Sequence, residues 1–194
     1  GGLAFGAPLF GSFVLAAAVQ RGRLTGAQAF ALSRLDEAHQ HEAAGTPWHA
    51  GSPLVQKVRK ATAKYRDINV AMSEGYAPGT PCVSGPNSGA MGVHFINGAL
   101  LGKEIDAETP EALIYEPLAN GKMRLVGVEI ITFASDWVNE VPVLDGHLLH
   151  YVGAPNRYGI PAFYEIHVWA WRDNPDGAFA DWNPRVTCAA QPLP

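Results

Sequence analysis

Phe163-Tyr164-Glu165-Ile166-His167-Val168-Trp169-Ala170-Trp171 alternates as a β-strand does. Read with a period of two, Tyr164, Ile166, Val168 and Ala170 make an ordinary apolar face. The opposite face carries Phe163, Glu165, His167, Trp169 and Trp171. A carboxylate and an imidazole thus stand two positions apart, roughly 7 Å along the strand, among aromatic rings. Ionisable groups in such surroundings must be paired, protonated or metal-bound.

Two other apolar runs are interrupted in the same way. Lys122 to Phe133 reads as the return strand of a hairpin that begins with Glu111–Glu116 and turns at Asn120-Gly121, the strongest short hairpin signal. From Leu125 to Phe133 both faces are nearly all apolar, as in a central covered strand, and Glu129 breaks the run. Met91 to Ile96 is a shorter strand that carries His94. With their side chains inward, neighbouring strands would gather His94, Glu129, Glu165 and His167. Two imidazoles and a carboxylate suit a divalent Zn, Fe, Mn or Cu ion with open positions. His94, Glu129 and His167 are the expected ligands, and Glu165 is a further ligand or the general base. His147 and His150, in the irregular stretch 134–160, are reserve ligands or proton shuttles; a loop of that length is often a lid. No HExxH motif is present and no G-x-S-x-G elbow surrounds Ser84 or Ser88. The alternative is a non-catalytic network of hydrogen-bonded His and Glu inside the fold.

Upstream of the strands the pattern is helical. Ser52 is a good N-cap residue and Pro53 suits the first helical position. Leu54, Val58, Ala61, Tyr65, Ile68 and Met72 then recur as one stripe, which predicts a continuous core-facing helix ending at Gly75. A capping box at Thr25–Gln28 predicts an earlier helix to about Ala44, with His39 and His41 at its solvated end, and 45–51 reads as a linker.

At 194 residues, with 47% hydrophobic and 16% charged content, the chain suits one globular domain. A net charge of −4 without a basic patch disfavours nucleic acid or an anionic membrane as partner. Residues 1–20 carry no charge and end in a small-residue zone at Ala16-Ala17-Ala18, like the apolar core of an export signal or a buried helix. Cys82 and Cys188 lie 106 residues apart and form no CxxC motif, leaving two reduced thiols or one disulfide. Export to an oxidising compartment favours the disulfide.

Cys82-Val-Ser, Gly89-Ala-Met-Gly-Val-His94, Val126-Gly-Val-Glu129, Glu165-Ile-His-Val-Trp-Ala-Trp171 and Asn183-Pro-Arg-Val-Thr-Cys188 together resemble a family of exported bacterial proteins. The likeness covers roughly residues 55–190; it implies secretion and a disulfide, and it carries no activity. The expected architecture is α+β: N-terminal helices on a mainly antiparallel sheet, curled or barrel-like. Residues 1–20 would be a signal remnant or apolar helix, 21–75 a helical segment, and 76–194 the β-rich portion of the same domain. The expected function is a secreted or periplasmic metal-dependent enzyme, hydrolytic or oxidative, acting on a small molecule with no nucleic-acid or stable membrane partner. The alternative is an extracytoplasmic module that binds a small molecule or metal.

Overall fold

The computed structural model describes residues 52–138 and 140–191, all within the unit Pro47–Pro194. The expectations for 1–20, for a helix over 25–44 and for the 45–51 linker lie outside them.

In the described part of the expected helical segment, the helix is broken. Helix α1 spans Pro53–Thr62, a 3-10 turn follows over Ala63–Arg66, and helix α2 spans Ile68–Ser73. Thr62 Oγ1 donates back to the Val58 carbonyl (2.7 Å), a local bond that competes with the regular ladder where the turn tightens. Asp67 then starts α2 by accepting from the Asn69 amide (3.0 Å). The restart shifts the phase, so Leu54, Val58 and Tyr65 are buried while Met72, expected in the stripe, is 48% exposed. Ser52 caps α1 only through its carbonyl, which accepts from Gln56.

The strands are β1 (Ala77–Pro78), β2 (Val83–Gly85), β3 (Gly89–Ile96), β4 (Ala112–Pro117), β5 (Met123–Phe133), β6 (Val143–Leu144), β7 (His147–Leu148), β8 (His150–Val152) and β9 (Phe163–Val168). All pairings among them are antiparallel. The main sheet runs β1-β3-β4-β5-β9-β8, with β2 also on β3. The fold is therefore α+β on a mainly antiparallel sheet. Its two outer strands, β1 and β8, are two and three residues long and do not pair with each other, so no barrel closes among the described residues. The expected hairpin joins β4 to β5, with Gly121 taking φ +75°. The stretch expected to be irregular holds a second small hairpin, β6–β7, turned by Asp145-Gly146 with both φ positive, and the edge strand β8.

The two faces of the sheet are chemically different. Val93, Phe95, Leu113, Tyr115, Val128, Ile130, Ile166 and Val168 pack with Leu54, Val55 and Val58 of α1 in the largest core cluster. His94, Glu129, Glu165 and His167 alternate with those residues and so occupy the other face, yet all four are buried there. Phe163 and Trp169 share that face, but Trp171 does not. β9 ends at Val168, the chain bends, and the Trp171 indole N–H donates to Thr62 on the helix side (3.0 Å).

Beyond β9 the tail is held down without regular structure. Trp169 donates from its backbone to the Ala178 carbonyl (2.9 Å) and from its indole to that of Ala180 (2.5 Å). The Asn174 and Asn183 amides bond the carbonyls of Trp182 and Asp173. Cys188 closes a disulfide to Cys82. Because that bridge spans 106 residues, removing it as Cys82→Ala/Cys188→Ala is expected to lower stability by about 4–5 kcal/mol, measured by urea unfolding of the oxidised parent and the variant.

Glu111, just before β4, is a further buried acid that the strand pattern did not single out. Its Oε2 accepts from the Ile131 amide (2.9 Å), and burial raises its carboxyl to about 7. With the folded value above the unfolded one, no penalty exists below about pH 4.5. Stability then falls as pH rises and levels off above about 7, a loss of up to about 3 kcal/mol. Glu111→Gln keeps an acceptor for Ile131 and is expected to flatten this part of the pH–stability profile; an unchanged slope would refute the assignment.

Candidate metal centre

Three strands deliver the inner residues. β5 and β9 pair with Glu129 opposite His167, so these two are direct neighbours. His94 arrives from β3, two strands away from β5 and roughly 10 Å off at the backbone. On the strand between them Ile114 lies opposite His94 and Ala112 opposite Glu129, so the two longer side chains approach along a diagonal across β4. Gly92, at φ +104°, sits beside a bulge where β2 shifts register against β3. A side chain at Gly92 would also strike the Tyr115 carbonyl (2.7 Å), so glycine is required to bring His94 to this position.

The resulting contacts are close. His94 Nε2 lies 3.5 Å from His167 Nε2 and 3.3 Å from Glu129 Oε2. Ligands about 2.1 Å from a tetrahedral ion are separated by about 3.4 Å, so both edges already have the dimensions of a coordination site. One ligand atom from each of His94, Glu129 and His167 falls within 4.8 Å of the others.

Each ring is also held from behind. Thr80 Oγ1 lies 3.2 Å from His94 Nδ1 and accepts from the His94 amide. Glu165 Oε2 lies 2.8 Å from His167 Nδ1. The His167–Glu165 contact is an ion pair whose geometry falls outside that of a directed hydrogen bond. A carboxylate or hydroxyl on one imidazole nitrogen with the other turned inward is how metal-ligating histidines are oriented. The Trp169 ring stacks on His167 at 6.0 Å.

Electrostatics divide the residues. Burial, with the neighbouring His167 charge, lowers His94 to about 3, so it is neutral. Burial raises Glu129 to about 8, against the pull of His167 and with the push of Glu165. The 3.3 Å contact between His94 and Glu129 is therefore imidazole to protonated carboxyl rather than an ion pair. For His167 burial works against the charge, but the neighbouring acids, Glu165 foremost, outweigh it and raise the ring to about 9.

A second group adjoins the first. His150 lies opposite Glu165 across the β8–β9 pairing, and its Nδ1 is 3.2 Å from Asp181 Oδ1. His150, Glu165 and Asp181 also bring ligand atoms within 4.8 Å. Asp181 is lowered by His150 and His167 despite burial, the largest influence, working the other way. Tyr158, from the β8–β9 connection, has its phenol raised to about 12, chiefly by burial and then by Glu129 and Glu165. The reserve residue His147 belongs to neither of these two groups; its ring sits on β7 against Phe179, 4.2 Å between centroids.

The structure thus brings together His94, Glu129, Glu165 and His167, and places His150 beside them. Asp181 and Thr80 were missed. Both lie in irregular segments, where no periodicity marks a direction. The apolar groove lined by Thr80, Val93, Phe95 and Met123 opens on the helix-side parity of β3, away from His94. No family model matches the chain, and neither the curated proteins nor the solved structures contain a match.

The electrostatic assignment has a direct check. In chelator-treated protein, ring nitrogen shifts measured by NMR at pH 7 are expected to show His94 neutral and His167 protonated. Glu165→Gln removes the leading charge that raises His167 and should move its titration back toward the ordinary imidazole range. A His167 titration that Glu165→Gln leaves in place would contradict the pairing.

Proposed function

We propose that the protein is a metal-dependent enzyme whose ion is held by His94 Nε2, His167 Nε2 and Glu129, acting on a small molecule outside the cytoplasm. The carrying observation is the pair of 3.3 and 3.5 Å separations, already those of a coordination polyhedron, among buried groups oriented from behind by Thr80 and Glu165. Three protein ligands leave a position open, the arrangement of catalytic rather than structural sites. An ion there supplies Lewis acidity and a bound water acidic enough to ionise near neutral pH. The ligand set accepts Zn, Fe, Mn or Cu, so hydrolytic and oxidative chemistry both fit.

The chain's own groups have separable roles. Glu165 keeps His167 turned inward and is the acid nearest to act as general base. Thr80 has two lone pairs and one O–H, so it serves either tautomer of His94. Placement outside the cytoplasm is supported by the Cys82–Cys188 disulfide, a bond that persists in oxidising compartments. No helix among the described residues is long and apolar enough to cross a membrane.

A second reading, a non-catalytic network, is favoured by the charge state: neutral His94, protonated Glu129 and an internal His167–Glu165 pair leave the group balanced. Elemental analysis of protein purified without chelator separates the two. The enzyme reading expects stoichiometric divalent metal in the parent and its loss in His94→Ala and His167→Ala. It also expects Thr80→Val to weaken metal affinity about 10–100-fold. A metal-free parent whose histidine variants lose stability would leave the network reading, whereas a metal-free parent with stability unchanged in those variants would remove the enzyme reading and weaken the network one.

A further inference from the structure

We propose that His150, Glu165 and Asp181 form a second divalent-cation site beside the first, making the centre a two-ion one. This rests on the reading of His94, Glu129 and His167 as ligands, because Glu165 belongs to the surroundings of both groups.

Three observations converge. The ligand atoms of His150, Glu165 and Asp181 lie within 4.8 Å of one another, and the His150 Nδ1–Asp181 Oδ1 edge is 3.2 Å, close to the separation two ligands of one ion adopt. Glu165 is 4% exposed, and its Oε2 sits 2.8 Å from His167 Nδ1 without the geometry of a hydrogen bond. A carboxylate has about four lone-pair sites, so Glu165 keeps acceptor capacity for a cation beside His150 and Asp181. Finally, Asp181 is not a free surface acid. Trp169 pins Ala178 and Ala180 immediately before it, and the Asn174 amide holds Trp182 immediately after it.

The two sites differ in access. His94, Glu129 and His167 are buried, whereas the His150 and Asp181 side chains are each 38% exposed. The outer ion would sit at the rim with room for exchangeable ligands, and its donors, one imidazole and two carboxylates, suit Mn²⁺, Fe²⁺ or Zn²⁺ over Cu⁺. Paired ions in one centre hold a substrate oxygen and a bound water together, which favours hydrolysis over oxidation among the chemistries the inner ion allows.

Equilibrium dialysis of the full chain against Mn²⁺, and separately Zn²⁺, with elemental analysis of the retained ion, tests this. Circular dichroism melts confirm that each variant is folded. Two ions per chain are expected in the parent. Asp181→Asn and His150→Ala should each leave one, and His94→Ala should also leave one. One ion in the parent, lost in His94→Ala and kept in Asp181→Asn, overturns the second site and leaves the inner one standing. Two ions retained in Asp181→Asn also overturns the assignment. One ion lost only in Asp181→Asn removes the inner site and the two-ion centre with it, and none in the parent removes both.

Discussion

Carboxylates taken out of water must find a proton, a cation or a metal, and one face of this sheet is arranged around meeting that demand for Glu129 and Glu165. The solution is distributed. Glu129 keeps its proton, Glu165 leans on a charged His167, and His94 gives up its own charge. Each response depends on the others, because the charge on His167 depends chiefly on Glu165 beside it. Removing one partner would strand the rest in a dry interior, at a cost far above that of a surface pair.

The opposite face shows what makes this tolerable. There α1 lays Leu54, Val55 and Val58 on an aliphatic and aromatic layer from β3, β4, β5 and β9. Area burial of that kind, at about 25 cal/mol per Å², is the general source of stability for a domain of this size. The polar face is then free to be organised for chemistry. Its cover is improvised from the β8–β9 connection and the tail, both held by side-chain amides, indoles and the disulfide.

Much of this was legible in the chain. Strict alternation in β9 and the interruptions at His94 and Glu129 identified the strands, their inward faces and the residues that meet. What alternation does not convey is where a strand stops. β9 bends after Val168, so Trp171 crosses to the helix side although its parity matches Trp169. The helix break at Asp67 was hidden because an apolar stripe averages over a local restart. His150 reaches Glu165 from a strand of three residues, too short to show a period. Asp181 and Thr80 come from segments without regular structure, and their approach depends on contacts made elsewhere in the sheet. A closed barrel would need its outer strands to pair, whereas the outer strands here are two and three residues long.

The alternation of β5 and β9 carries one more implication. Sliding β5 by a single residue would press Glu129 into the aliphatic layer beneath α1 and turn Ile130 toward the acids, and sliding β9 would do the same with Glu165, His167 and Ile166. The acids therefore act as a ratchet on strand alignment. Whatever chemistry they perform, they also penalise every misregistered pairing that a wholly aliphatic sheet of the same shape would have tolerated.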